Sequence, residues 1–312
     1  MKITVILCTY NPRQDFLSRT LASLAAQSIP TTEWELIIID NGSSEALDDR
    51  VDVSWHSMSR IIKEPKLGLM NARICGINHA KCDLLVFVDD DNVLRNDYLE
   101  NALHIALHFP FLGSWGGSLL GEFETKPPEN LGKYLNRLGI HKVQRFVYTT
   151  EYFRYDCIPQ GAGMCIRRSL AKSYCVKVLK NNLLASLGRK GQDLACCEDT
   201  SMALHVIDQA YAIGKSPELV LWHLMPGWRL TIDYMKRLVF GDAKSNVLLK
   251  AARGLIDPHS SAPQVSILKK VWLTLRLSRT DYIMWKASVD GTAEGFRVLK
   301  KQMRSNSLQQ KN

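Results

Sequence analysis

The chain has 312 residues, 46% hydrophobic and 23% charged, which excludes a disordered polypeptide and leaves room for one large domain or two smaller ones. Its formal charge of +9 is uneven: residues 1–226 hold 24 Lys and Arg against 25 Asp and Glu, whereas residues 227–312 hold 16 against 6. A neutral body thus precedes a basic tail suited to a phosphate-rich or anionic-membrane partner, and the sequence has no zinc-finger spacing, recognition-helix signature or RNA-binding aromatic motif to favour nucleic acid.

The apolar run Ile3 to Cys8 reads as a buried strand, which Asn11-Pro12 breaks before a helix over about 15–27. A second strand, Trp34 to Ile39, ends at the turn residues Asp40-Asn41-Gly42-Ser43. A weaker strand near 60–62 and a helix over about 69–80 precede the run Leu84 to Val88, which ends in Asp89-Asp90-Asp91. Strands alternating with helices predict an α/β fold with a mostly parallel sheet. Its carboxyl-edge loops would gather Cys8-Thr9-Tyr10, Asp40 and Asp89 to Asp91 into one crevice. Three adjacent carboxylates repel one another unless a cation, a basic side chain or water intervenes. In an extended chain Asp89 and Asp91 face one way and Asp90 the other. Such a pair suits Mg²⁺ or Mn²⁺ carrying substrate phosphates; a turn of solvated acids is the plainer alternative.

No charged residue lies between Glu100 and Glu122, but His104, His108, Pro110 and several glycines make this a helix followed by a strand rather than a membrane span. Residues 122–156 mix charge, proline and aromatics and are expected to form irregular structure with a hairpin over the site. Pro159-Gln160-Gly161-Ala162-Gly163 then turns into a strand, and its glycines would admit close approach of backbone to ligand, or simply make a tight turn. Glu198-Asp199-Thr200 opens a helical pattern, where acids cap the first turn. Asp199 is also suited to act as a base toward a hydroxyl. A strand over 218–222 ends at His223, either a structural residue or one that completes a divalent-metal shell. Farther on, Ile267, Leu268, Val271, Trp272 and Leu275 recur on a helical face beside Lys269, Lys270, Arg276 and Arg279, a pattern for packing on a core or lying on a membrane. The eight cysteines match neither a zinc site nor a small disulfide scaffold. Reduced thiols, with no signal-peptide pattern at the start, point to the cytoplasm.

Taken in order, these segments resemble family 2 of the glycosyltransferases over roughly residues 1–240. The pieces that carry the likeness are Val5-Ile6-Leu7-Cys8-Thr9-Tyr10-Asn11, Asp40-Asn41-Gly42-Ser43, the stretch from Leu67 to Ile77, Asp89-Asp90-Asp91, Gly161-Ala162-Gly163-Met164, and Glu198-Asp199 followed by His223. The resemblance implies a GT-A fold: a Rossmann-like mixed sheet flanked by helices over 1–226, with a donor half to about 110, an acceptor half over 111–226, and a basic helical C-terminal extension over 227–312. It further implies that Thr9 and Asp40 recognise the base and that Arg73 braces the nucleotide-side loop. Asp89 would approach the ribose, while Tyr10, Asn11, Lys66, Gly68 and Asp90 belong to the donor side. Asp91 would bind Mn²⁺ or Mg²⁺, with His223 as a further candidate ligand. Asp199 resembles the general base of inverting members, with Glu198 beside it and Gln160, Gly161 and Gly163 on the acceptor side.

The expected function is inverting transfer from a nucleoside-diphosphate sugar, UDP-linked, to a growing glycan or lipid-linked saccharide, as in bacterial surface polysaccharide synthesis. Arg229, in a proline- and glycine-containing loop, would reach the donor phosphates. The basic tail would place the enzyme in the cytoplasm, peripheral on the inner face of the membrane. Two other classes compete: a sugar-phosphate nucleotidyltransferase, which also uses strand-end aspartates with a metal, and a non-catalytic glycan-assembly subunit with a degenerate transferase fold.

Overall fold

The computed structural model describes residues 2–47, 50–191 and 193–309. In chain order the elements are β1 (Ile3–Thr9), α1 (Gln14–Ala25), β2 (Trp34–Asp40), β3 (Ser59–Lys63), α2 (Leu69–His79), β4 (Leu84–Asp89) and β5 (Asn92–Leu94). They continue with α3 (Tyr98–His108), β6 (Leu112–Phe123), β7 (Val147–Thr149), β8 (Cys165–Arg167), α4 (Arg168–Leu179), α5 (Asn182–Ala185) and α6 (Glu198–Asp208). Last come β9 (Ala212–Met225), α7 (Ile232–Ala252), α8 (Ile267–Arg276) and α9 (Arg279–Gln309). Short 3₁₀ segments occupy Thr31–Glu33, Glu129–Leu138 and Gly227–Leu230.

The chain divides into two compact units. The first comprises residues 1–124, 139–180 and 198–225 and contains the whole sheet, ordered β3-β2-β1-β4-β8-β6-β9-β5, with β7 paired to β9. β1, β2, β3 and β4 run parallel, whereas β8 pairs antiparallel with β4 and with β6. This is the mixed sheet that the resemblance implies; the mostly parallel sheet expected from alternating strands and helices holds for β1 to β4, while β5, β7 and β8 pair antiparallel. β1 and β2 are buried along their full length, which explains why Ile3 to Cys8 and Trp34 to Ile39 are mostly apolar on both faces; their polar exceptions, Thr4 and Glu35, bond to each other at 2.7 Å. On one face Leu17, Leu21 and Leu24 of α1 join Trp34, Leu36 and Val86 in the core.

Register decides where the chemistry sits. Thr9 lies opposite Asp40, and Cys8 opposite Asp89, so the ends of three parallel strands bring these polar residues to one carboxyl edge. Two expectations need correction. Beyond β6, residues 122–156 hold a 3₁₀ segment and the single short strand β7 in place of a hairpin of their own; β7 pairs antiparallel with β9, because its short stretch finds an open edge there. The last strand is also longer than 218–222: β9 runs from Ala212 to Met225, with register shifts against β6, so His223 lies within a strand rather than at its end.

The second unit comprises residues 125–138, 181–197 and 226–312 and is helical. The side chain of Thr231 caps α7, accepting from the Tyr234 amide at 3.2 Å, and α7 packs along α9. Lys133, then Tyr134 and Ser278, reach Asp281 near the start of α9 and hold its carboxyl down to about 2. No residue of α8 is buried, and among the described residues no helix is long and apolar enough to cross a membrane.

Candidate active site

The first unit's carboxyl-edge residues are joined by a short polar network. β4 ends at Asp89, and Asp90-Asp91 form a turn rather than continuing an extended strand, so the expected alternation of the three acids does not apply. Instead each carboxylate faces different company. Thr9 Oγ1 donates to Asp90 Oδ2 at 2.5 Å, tying the end of β1 to the turn. Asp91 is buried, with Asn92 Nδ2 donating to its Oδ1 at 3.0 Å and His223 Nε2 at 3.4 Å from its Oδ2. Asp89 lies 3.7 Å from Arg73 Nη2, and its amide donates to Asn92 Oδ1 at 3.1 Å. Asn92 thus holds both sides of the turn, a role its place directly after the triplet could have suggested.

Arg73, on α2, is only 2% exposed. Its Nη1 donates to Glu198 Oε1 at 3.1 Å while Nη2 faces Asp89, so one guanidinium joins the strand-end acids to the first residue of α6. Burial by itself would lower the Arg73 pKa; Glu198 and then Asp89 outweigh it, and the group is raised above its ordinary value. A buried cation so paired is held in one position, and removing Glu198 would leave it with only the longer contact to Asp89. Burial also pushes the nearby Cys8 thiol up to about 12 against the pull of Arg73, making Cys8 a packed thiol and not a nucleophile.

Asp199 stands next to Glu198 at the start of α6. Its Oδ2 accepts from the Gly161 amide at 2.9 Å and its Oδ1 from the Thr200 amide at 2.6 Å. These bonds leave carboxylate lone pairs available to a further donor. Gly161 is required there by close approach: a Cβ would lie 2.3 Å from Arg73 Nη2, whose guanidinium Glu198 anchors. The turn is also fixed to β4, because Gly163 N–H donates to Phe87 O and Phe87 N–H to Met164 O, both at 2.9 Å, while Tyr98 Oη donates to Gly163 O. Gln160 Oε1 is buried without a hydrogen-bond partner among the described residues.

Asp40 is 3% exposed, and its Oδ1 accepts from the Ser43 amide at 2.9 Å. Asn11 links two loops, its amide donating to Ser43 Oγ and its Oδ1 accepting from the Ser44 amide. Asn41, not singled out from sequence, clamps the loop that carries Lys66 and Gly68. Its Nδ2 donates to the Glu64 and Lys66 carbonyls, and its Oδ1 accepts from the Gly68 amide. Tyr10 is exposed beside these loops. Arg229 belongs to the second unit, in the segment Gly227–Leu230, with its guanidinium 5.3 Å from the centre of the Trp228 ring.

Sequence reasoning also missed Lys215 on β9, which is 3% exposed. Burial pulls its pKa down to about 8 from 10.5, opposed by Cys157, Asp199 and Asp156. Below about pH 8 both folded and unfolded chains carry the ammonium, and the cost of burying it is fully present. Between about 8 and 10.5 only the unfolded chain keeps the proton, so the cost is relieved as pH rises. Urea unfolding at pH 7 and pH 10 is therefore expected to show wild type gaining about 2 to 3 kcal/mol relative to Lys215→Met. Parallel pH dependence in the two proteins would refute this.

The family model described as glycosyl transferase family 2 matches residues 4–173 of this chain. The succinoglycan biosynthesis protein ExoM of Rhizobium meliloti strain 1021 is 30% identical over 263 residues, covering 82% of this chain and 78% of that protein. Polypeptide N-acetylgalactosaminyltransferase 8 of Drosophila melanogaster is 30% identical over 102 residues, or 31% of this chain, which spans only 17% of that relative's length. Among solved structures, the mannosyltransferase PcManGT of Pyrobaculum calidifontis, in complex with GDP-Man and Mn²⁺, superposes with a TM-score of 0.53 at 16% identity, covering 95% of this chain and 86% of that one. That likeness concerns the fold. The chain belongs to glycosyl transferase family 2, the inverting, nucleotide-sugar-dependent family, and has its GT-A fold.

Proposed function

We propose that this chain transfers a sugar from a UDP-linked donor, with inversion, to a hydroxyl of a growing glycan or lipid-linked diphosphate-saccharide in bacterial surface polysaccharide synthesis. The observation that carries the reading is the Arg73 bridge, which places the strand-end acids and the start of α6 in one network. In this reading Asp199 removes the proton from the acceptor hydroxyl as its oxygen attacks the anomeric carbon, and the diphosphate departs from the opposite face. The amides of Gly161 and Thr200 orient the carboxylate, and the buried Gln160 Oε1 offers an acceptor for a substrate hydroxyl. Asp40 presents a buried carboxylate beside Thr9, suited to a base N–H, with Asp89 on the ribose side.

Asp91 and His223 fit a divalent cation: a carboxylate oxygen and an imidazole nitrogen 3.4 Å apart can share one small ion. Bound there, Mn²⁺ or Mg²⁺ would offset the charge of the departing diphosphate. The Mn²⁺ in the mannosyltransferase complex supports a cation, and the relative named for succinoglycan biosynthesis supports a polysaccharide product. The test is a panel of UDP- and GDP-sugars with glycan and lipid-linked acceptors, read by nucleotide release and product mass. UDP release coupled to a mass gain of one sugar supports the reading. Pyrophosphate release from a nucleoside triphosphate and a sugar phosphate would replace it with nucleotidyl transfer.

The membrane contact rests on α8. Ile267, Leu268 and Leu275 are 77%, 83% and 81% exposed, and Lys269, Lys270 and Arg276 lie on the same short helix. A ten-residue helix with no buried side chain has little to stabilise it in water, whereas an anionic bilayer offers both an apolar layer and countercharge. The chain is expected to bind phosphatidylserine-containing vesicles at low salt. Replacing Leu268 and Leu275 with Glu should weaken binding by at least about tenfold. Absence of salt-sensitive binding by the wild type would sink the contact.

A further inference from the structure

We infer that Cys196, Cys197 and Asp242 form a binding site for a thiophilic divalent cation of the Zn²⁺ class, separate from the transferase chemistry. All three lie in the second unit, and their candidate ligand atoms fall within 4.8 Å of one another. Cys196 Sγ is 3.6 Å from Cys197 Sγ and 3.4 Å from Asp242 Oδ1. Around a tetrahedral Zn²⁺, with Zn–S about 2.3 Å and Zn–O about 2.0 Å, two sulfurs stand about 3.8 Å apart and a sulfur and an oxygen about 3.5 Å. The site is already close to that spacing, and water would take the fourth position.

The backbone is shaped to bring the two sulfurs together. Neighbouring side chains of an extended segment point to opposite sides. Cys197 instead has φ +70°, a left-handed conformation that side-chain-bearing residues rarely adopt. An outlier of that kind is a reason to look for function. The segment before it is fixed to α7 at successive points: Lys244 Nζ pairs with Asp193 at 2.7 Å, and Cys196 N–H donates to Ser245 Oγ at 3.1 Å. Gly241 permits the approach, since a Cβ there would lie 2.4 Å from the Leu194 carbonyl oxygen.

Charge and orientation fit as well. Two thiolates, one carboxylate and one divalent cation leave a single negative charge, and Arg137 Nη1, 2.7 Å from Asp242 Oδ2, offsets it. Asn246 Nδ2 donates to Asp242 Oδ1 at 3.1 Å and sets the rotation of the carboxylate, as the partners of metal ligands commonly do. Sequence spacing gave no sign of zinc because the third ligand lies on α7, 45 residues beyond the cysteine pair. The 3.6 Å sulfur separation is too long for a disulfide and short enough for both sulfurs to reach one ion.

The test uses the full chain, reduced and freed of metal with a chelator. Titration with Co²⁺ should produce thiolate-to-metal charge-transfer absorption at one equivalent, displaced by Zn²⁺. Cys196→Ser/Cys197→Ser should abolish that absorption and weaken Zn²⁺ at least 100-fold. Asp242→Asn should weaken Zn²⁺ about tenfold while keeping the absorption, and Asp91→Ala should leave the thiolate charge-transfer absorption unchanged. Circular dichroism of each variant guards against misfolding, and Asp242→Asn tests the site with both thiols present. Lack of charge transfer in the wild type would overturn the proposal, as would undiminished Zn²⁺ affinity in the double variant. So would a reduced chain that takes up no Co²⁺ but closes a Cys196–Cys197 disulfide on mild oxidation, seen as a two-hydrogen mass loss.

Discussion

Asp199→Asn is expected to lower sugar transfer by about 10³-fold or more while leaving donor affinity within about twofold of wild type. The substitution is nearly isosteric. An asparagine oxygen can still accept from either the Gly161 or the Thr200 amide, so the local backbone keeps part of its support. What disappears is the ability to take a proton from the acceptor. Glu198→Gln gives the contrast. It weakens the partner of the buried Arg73, so its damage should appear in stability and donor binding as well as in turnover. Single-turnover rates, nucleotide titration and thermal unfolding of the two variants separate a base from a brace. Near-normal transfer by a folded Asp199→Asn would remove Asp199 from the base role.

Asp91→Ala should show its effect before any chemistry. With its buried carboxylate lost, UDP binding measured in the presence of Mn²⁺ should weaken by about 100-fold, and binding measured with a chelator should change little. His223→Ala should give a smaller loss of the same Mn²⁺-dependent kind, since its ring is 3.4 Å from the Asp91 carboxylate. If Mn²⁺ strengthened UDP binding equally in wild type and Asp91→Ala, the cation would have to be held elsewhere. Both measurements are of binding alone, so they are independent of the acceptor.

The parallel half of the fold was legible because it is written in local signals. Apolar runs end in Thr9, Asp40 and Asp89, and buried strands of a parallel sheet have few other ways to end. The local helical pattern after Glu198-Asp199-Thr200 likewise pointed to a helix start, where the structure has it. What escaped depends on long-range pairing. The full extent of β9 follows from its pairing with β6 across more than ninety residues, and the shifted register leaves no simple alternation to read. Lys215 lies outside the strand expected over 218–222, and only the longer β9 and the fold around it bury the side chain. Asn41 resembled an ordinary turn residue; its clamping bonds, like those of Asn92, reach partners that sequence alone does not identify.

The Arg73 bridge also limits how this enzyme can be recombined. Its cation comes from α2, in the half expected to hold the donor, while Glu198 comes from the half expected to hold the acceptor. A chimera that joined residues 1–110 of this chain to the following half of a distant relative would keep the Asp89 contact at 3.7 Å but inherit the buried guanidinium without its closer partner, Glu198. Its compatibility would be set by the residue matching Glu198 and by space for the arginine at the Gly161 position. If those halves carry donor and acceptor preference as expected, the preferences would be exchanged between relatives only in pairs that preserve this joint, a constraint that overall sequence identity does not measure.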